Sequence, residues 1–245
     1  MIRLLLVVLT LLLYLILGIP VLLIEWVISR WNPHLRDISC LRMVQGAFKL
    51  ILWFTGADIT YIGRENIPRD QAVLYVGNHN SYFDILLTYS QCPGLTGYVA
   101  KAEMLRYPLL RDWMKRLYCL FLDRTDMRAG LQTILTGIDY IRSGISICIF
   151  PEGTRNSGEE LSMLPFKDGA FKIATRTNCA IVPISMNNTS AIFENQLPKI
   201  KKVHVVIEYG KPIYPNDLEK DQKRHIGPYV QEIIQSTIRK NAELV

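Results

Sequence analysis

The chain has 245 residues, with 28 Lys and Arg against 22 Asp and Glu and a net charge of +6. That length allows one domain with a substantial core plus an appendage. The charge excess is too small to imply nucleic acid, and neither a zinc-finger spacing nor a basic base-reading helix is present. The five cysteines are scattered without a C-x-x-C pair. They read as reduced, buried apolar residues, which suits a cytosolic body. The four histidines cluster neither with each other nor with cysteines, so no zinc site is expected.

The run from Leu4 to Ile24 contains no charged residue. As a helix it would extend ~30 Å at ~1.5 Å per residue, about one hydrocarbon core. A signal peptide fits poorly, because the run is too long and Glu25-Trp26 follows where small residues should stand. Trp26, Arg30, Trp31 and Arg36 form an aromatic and basic belt for lipid headgroups. If the helix spans a bilayer, this charge favours a cytoplasmic body. A second helix is expected from Ile38 to Phe54, where Leu41, Val44, Ala47, Ile51 and Leu52 alternate with Arg42, Gln45 and Lys49. Its pattern suits a core face or an interfacial hairpin with the first helix equally well. Residues 1–56 are therefore expected to be membrane-anchoring helices, and 57–245 an α/β domain.

From there strands alternate with helices. Strands are expected at Ile59–Gly63, Ala72–Val76, Thr96–Ala100, Tyr118–Leu122, Ile145–Phe150, Ala180–Met186 and Val203–Tyr209. Helices are expected at Tyr82–Ser90, from Pro108, at Met127–Arg142, from Asp168 to about Thr177, and at Gln222–Ala242. The alternation argues for a mostly parallel central sheet flanked by helices. In such a sheet ligands bind beyond the C-terminal strand ends, and four of those ends carry unusual residues. They are His79 and Asp84, Lys101, Asp123 and Arg124, and the run Glu152-Gly153-Thr154-Arg155.

His79 and Asp84 are five residues apart, which on one continuous helix would point them ~140° away from each other. They can face each other only if His79 lies on the turn and Asp84 in the first helical turn. That arrangement makes a general base with its orienting carboxylate. A plainer reading stands beside it: Ser81 and Asp84 also fit a capping box. Two arginine forks near such a base suggest a phosphorylated alcohol as substrate. Singly, Arg124 with Asp123 reads as a local ion pair, and Lys101 as a solvated charge.

These residues resemble the glycerolipid acyltransferase family, in particular the 1-acyl-sn-glycerol-3-phosphate (lysophosphatidic acid) acyltransferases. The blocks are Asn78-His79-Asn80-Ser81-Tyr82-Phe83-Asp84, Phe121-Leu122-Asp123-Arg124, Phe150-Pro151-Glu152-Gly153-Thr154-Arg155 and Val182-Pro183-Ile184. Glu65-Asn66-Ile67-Pro68, Lys101-Ala102-Glu103 and the Phe166-Lys167-Asp168-Gly169 turn also fit. The resemblance covers about Ile59 to Tyr209 and departs at two positions. Asn156 stands where Ser is frequent, and Tyr118 where a Gly often precedes the second block.

The resemblance implies transfer of a fatty acyl group from acyl-CoA or acyl carrier protein to the sn-2 hydroxyl of the lysolipid, giving phosphatidic acid. It implies His79 as base and Asp84 as its orienter, with no metal and no bound prosthetic cofactor. Arg155, Gly153 and Thr154 would hold the acceptor phosphate, with Arg124 and Lys101 sharing its charge. Glu152 would position Arg155 or bind glycerol. Backbone N–H groups near Asn80 or Pro183-Ile184 are candidates for the oxyanion. The expected setting is the cell membrane, with the catalytic domain on the cytoplasmic side among membrane phospholipids. Rival readings are acylation of another lysophospholipid, a lipid-binding protein without turnover, and a hydrolase. Against the last, a G-x-S-x-G nucleophile elbow is missing.

Overall fold

The computed structural model describes residues 1–158 and 161–245. The chain opens with two long helices, α1 (Ile2–Ile28) and α2 (Pro33–Thr55). Asn32 caps α2 through its side chain, Pro33 starts it, and Gly56 ends it at φ 66°. The remaining elements are β1 (Asp58–Ile62), β2 (Leu74–Gly77), α3 (Phe83–Tyr89), β3 (Thr96–Lys101), α4 (Pro108–Arg116), β4 (Leu120–Leu122), α5 (Met127–Arg142), β5 (Ser146–Ile149), α6 (Lys172–Thr177), β6 (Ile181–Asn187), β7 (His204–Tyr209), α7 (Lys220–Arg224) and α8 (Ile226–Asn241).

The strands form one seven-stranded sheet in the order β1-β7-β6-β2-β5-β3-β4. All neighbouring pairs are parallel except β6–β7. The exception has a cause in the connection. Residues 188–203 hold only short 3₁₀ turns, and without a crossover helix the chain returns antiparallel. The strands β2, β5, β3 and β4 are consecutive and parallel, so their C-terminal ends lie side by side along one edge of the molecule. The four charged strand ends singled out in the sequence are these four.

The period-2 alternation of β2 divides the core. Tyr75 faces a cluster built on Leu41, Val44 and Ile51 of α2, Leu87 of α3 and Trp113 of α4. Leu74 and Val76 face the other side, with Ile138 of α5, Ile173 of α6 and Val230 and Ile234 of α8. The second helix is thus a core element. The expected boundary at 56/57 coincides with the cap Gly56, but packing runs continuously across it.

Helix α1 behaves differently. Only Gly18 and Glu25 are buried along it, and Leu5, Leu12, Ile16, Leu17, Leu23 and Ile24 remain exposed. Its Tyr14 ring meets Trp113 at 5.1 Å, Leu4, Val7, Leu15, Val21 and Leu22 pack against the first core cluster, and three further contacts fasten it. Gly18 lies under the indole of Trp113, where a Cβ would stand 2.9 Å from Nε1. Ser39 donates to Glu25 at 2.5 Å, and Arg116 donates to the Leu22 carbonyl at 3.2 Å. Both α1 and α2 are long and apolar enough to cross a membrane.

Two helices differ from the pattern reading. The segment at Asp168 begins as a 3₁₀ turn before α6. The C-terminal helix is broken at His225 into α7 and α8. Pro228 explains the break, since inside one continuous helix its ring would clash with the Arg224 carbonyl; it is tolerated only in the first turn of a new helix.

Gly18→Leu should push α1 off Trp113 and cost about 1–3 kcal/mol by overpacking. That is a drop of several degrees in unfolding midpoint, read by thermal unfolding in detergent. An unchanged midpoint would mean that the Gly18–Trp113 contact contributes nothing to the fold.

Candidate active site

The site is built where β2 gives way to α3. Asn78, at the end of β2, is buried and uses its amide as a strand would. Its Nδ2 donates to the Met186 carbonyl and its Oδ1 accepts from the Met186 N–H, both at 2.9 Å. This fixes the turn against β6. His79 follows, with its Nδ1 2.8 Å from Asp84 Oδ2. The same oxygen accepts from the backbone N–H of Asn80 at 2.7 Å and of Ser81 at 2.8 Å. Asp84 is fully buried, and the His79 ring is 15% exposed. With Nδ1–H given to the carboxylate, Nε2 is left as the proton acceptor. The His79 ring stacks on Phe150 at 4.3 Å and 12°, which fixes its second degree of freedom.

The orienting and capping readings of Asp84 are therefore both true of one oxygen. It closes the turn by accepting two backbone donors, and in the same geometry it holds the imidazole. Ser81 contributes separately, its hydroxyl accepting from the Phe83 N–H at 3.0 Å.

The third block lies on the neighbouring strand β5 and is tied to this turn by backbone bonds. Glu152 accepts from the His79 N–H at 2.8 Å through Oε1 and from the Leu164 N–H at 2.8 Å through Oε2. It is 3% exposed. Burial pushes its carboxyl above the usual carboxylate range, against the pull of the two backbone donors. Glu152 was expected near substrate or Arg155, but both its oxygens hold backbone. Two residues past Thr154, the Asn156 N–H donates to the His79 carbonyl at 2.7 Å. Its side chain donates to the Ser162 carbonyl and accepts from the Gly158 N–H. The departure from Ser at 156 therefore shapes the loop behind the histidine.

Arg155 reaches across to the first block. Its guanidinium lies 3.6 Å from the Tyr82 ring centroid and pairs with Glu194 at 3.4 Å. Glu194 also accepts from the Ser81 hydroxyl at 2.8 Å and the Tyr82 N–H at 2.7 Å. Glu194 thus clamps the first and third blocks together. It sits on a short 3₁₀ turn after β6, 113 residues from Ser81. Nothing in its local sequence marks it, because the clamp exists only once β6 is placed beside β2.

The other cations gather beyond β3 and β4. Lys101, Glu103, Arg106, Asp123, Arg124 and Thr125 line a polar hollow of about 390 Å³. Asp123 accepts from the Thr125 hydroxyl at 2.7 Å and its N–H at 2.9 Å, which lowers its pKa. Among the described residues it makes no ion pair with Arg124, so that guanidinium remains available. Arg124 also borders a second cavity of about 320 Å³, with apolar walls that include Val99, Leu120, Leu122, Leu131, Ile134 and Ile173. Gly153, at φ 77°, and Phe150 line the same cavity. One ring therefore separates the base from an apolar pocket. Thr154 is exposed beside it.

Of the proposed oxyanion donors, the Asn80 N–H is already given to Asp84, and Pro183 has no N–H. Among the described residues the N–H groups of Thr154 and Arg155 carry no backbone hydrogen bond, which leaves them open as donors. Tyr118, the other departure, has φ 59°, a conformation in which glycine is unstrained. Its hydroxyl donates to Asp37 of α2, so its side chain points to the helical hairpin.

A histidine oriented by a buried carboxylate, beside cations without an ion-pair partner among the described residues and an apolar pocket at a parallel-sheet edge, fits an α/β enzyme of the acyl-transferring class. The chain belongs to the Acyltransferase family, whose sequence profile matches residues 58–187. It is 29% identical over 203 residues to the 1-acyl-sn-glycerol-3-phosphate acyltransferase of Saccharomyces cerevisiae, spanning 82% of this chain but only 65% of that one. It is 33% identical over 178 residues to the 1-acyl-sn-glycerol-3-phosphate acyltransferase of Borreliella burgdorferi, spanning 69% of each. Its fold is that of the 1-acyl-sn-glycerophosphate acyltransferase of Thermotoga maritima, with TM-score 0.82, 20% identity, and 98% and 96% of the two chains covered.

Glu152→Gln replaces one acceptor by an NH₂ facing a backbone N–H. It should cost about 1–3 kcal/mol and lower turnover, measured by thermal unfolding and initial rates. Both unchanged would show the tether idle. Glu194→Ala should free Arg155 and the Ser81–Tyr82 turn and reduce turnover about tenfold or more, with the unfolding midpoint falling by only a few degrees. A rate equal to wild type would remove Glu194 from the site.

Proposed function

We propose that this chain transfers a fatty acyl group from an acyl thioester to the sn-2 hydroxyl of 1-acyl-sn-glycerol-3-phosphate, giving phosphatidic acid. The observation that carries the reading is the His79–Asp84 contact at 2.8 Å, in a chain of the acyltransferase family whose relatives bear that name. His79 Nε2 takes the proton of the acceptor hydroxyl as its oxygen bonds to the thioester carbonyl carbon. Asp84 steadies the imidazolium that forms. The tetrahedral oxyanion is met by the N–H groups of Thr154 and Arg155. Its collapse breaks the C–S bond, and the imidazolium returns its proton to the leaving thiolate. No enzyme nucleophile is required, because the acceptor supplies the attacking oxygen.

The acceptor phosphate binds on the cationic flank formed by Arg124 and Lys101, and this binding fixes the hydroxyl beside the base. Arg155, with one of its five donors given to Glu194, turns its remaining N–H groups to the same headgroup. An acyl chain occupies the apolar cavity of about 320 Å³ behind Phe150. The donor is acyl-CoA or acyl carrier protein, which share the thioester, and no resident metal or cofactor takes part.

The packing of α1 along α2 and α4 supports a hairpin lying in one leaflet rather than a helix projecting away from the domain. Arg30 over Trp26 at 4.7 Å suits the headgroup layer. Five reduced cysteines suit the cytoplasmic face of the cell membrane.

Purified wild type should acylate lysophosphatidic acid with acyl-CoA or acyl carrier protein. His79→Ala should lose roughly 10²–10⁴-fold in rate with its thermal midpoint kept. Transfer by the variant at the wild-type rate would refute the base. Lipid binding without turnover in wild type would leave a binding protein.

A further inference from the structure

Among the cations lining these cavities that the reading above does not use, Lys167 lies closest to Gly153. Gly153 is in the left-handed region, at φ 77°, and the space its missing side chain leaves is filled by charge. A Cβ at this position would stand 3.0 Å from Lys167 Nζ and 3.5 Å from Arg124 Cζ. These two side chains come from different parts of the chain. Arg124 follows β4, and Lys167 precedes the 3₁₀ turn Asp168–Phe171.

Lys167 is held there by its backbone. Its N–H donates to the Pro151 carbonyl at 3.1 Å, and the neighbouring Phe166 N–H donates to Gln231 of α8 at 3.0 Å. Among the described residues neither Lys167 nor Arg124 has an ion-pair partner. By contrast, Arg155 has Glu194. Two like charges brought over one glycine without a carboxylate repel each other, and an anion between them removes the repulsion. Both line the apolar cavity, and Arg124 also lines the hollow that holds Lys101.

We propose that Lys167 is a phosphate ligand of this enzyme, and that Lys167 and Arg124 grip a phosphate over the bare face of Gly153. Lysine acts as a point charge and arginine as a fork, so together they suit a terminal phosphate dianion. The sharpest fit is the acceptor's phosphomonoester; the alternative carrier is the phosphodiester of the donor's pantetheine arm. Only the identity of the carrier rests on the proposed reaction. The phosphate site itself does not.

The test uses the full chain in detergent, as wild type, Lys167→Met and Lys167→Arg. Lys167 is exposed, so its replacement should leave the unliganded unfolding midpoint in place. Initial rates are measured against lysophosphatidic acid at saturating donor, then against donor at saturating acceptor. Lys167→Met should raise KM for lysophosphatidic acid about ten- to hundredfold, with kcat and the donor KM nearly unchanged. Lys167→Arg should restore most of the loss. A raised donor KM with acceptor KM unchanged would overturn the acceptor assignment. A fall in kcat with both KM values unchanged would overturn the ligand role.

Inorganic phosphate should raise the thermal midpoint of wild type but not of Lys167→Met, and equal shifts would refute the cradle. This readout needs no turnover. If wild type fails to acylate lysophosphatidic acid, the functional reading falls, and the phosphate shift still decides on Lys167.

Discussion

One carboxylate oxygen organises this active site. Asp84 Oδ2 accepts from the His79 ring and from the Asn80 and Ser81 N–H groups, all within 2.8 Å. A fully buried carboxylate without partners would be costly, whereas three donors compensate its desolvation. The same contacts define the geometry of the turn. Moving the histidine would therefore strip a donor from a buried charge, and removing the charge would release both the turn and the ring. Orientation of the imidazole and local fold are one interaction here.

Around this point the protein adds tethers from outside the turn. Asn78 extends β2 by pairing with Met186. Glu152 and Asn156 hold the backbone N–H and carbonyl of His79 from β5 and its following loop. Glu194 joins Ser81, Tyr82 and Arg155. The stacked Phe150 closes the last side. Sites held in this way need little reorganisation when charge develops, which is where electrostatic catalysis draws most of its effect. Glu152 and Asn156 are buried, and their side chains are taken up by backbone groups.

The helical hairpin is built into this edge, and both of its helices are long and apolar enough to cross a membrane. α2 is a core element, so it cannot leave the domain without opening the cluster around Tyr75 and Leu87. α1 rests on it and on Trp113 with most of its apolar surface uncovered. Tyr118 bridges from the strand bearing Arg124 to Asp37 on α2. The hairpin and the edge that bears Arg124 are therefore tied to each other. A left-handed tyrosine stands where the backbone would prefer glycine, and this bridge compensates for it.

Local pattern determined most of the architecture: the alternation of strands and helices, the mostly parallel sheet, the two apolar helices and the turn bearing His79 and Asp84. These features rest on short-range physics, namely periodicity, turn residues and the five-residue spacing. The roles of Glu152, Glu194 and Lys167 were not legible. Each depends on which strand lies beside which, and the order β6-β2-β5-β3-β4 is set by long-range packing. A pattern reading could place Arg155 at a strand end but not see Glu194 reach it from a turn beyond β6. It could name Gly153 as a point of close approach, but only the folded chain shows that a lysine and an arginine occupy the space it leaves.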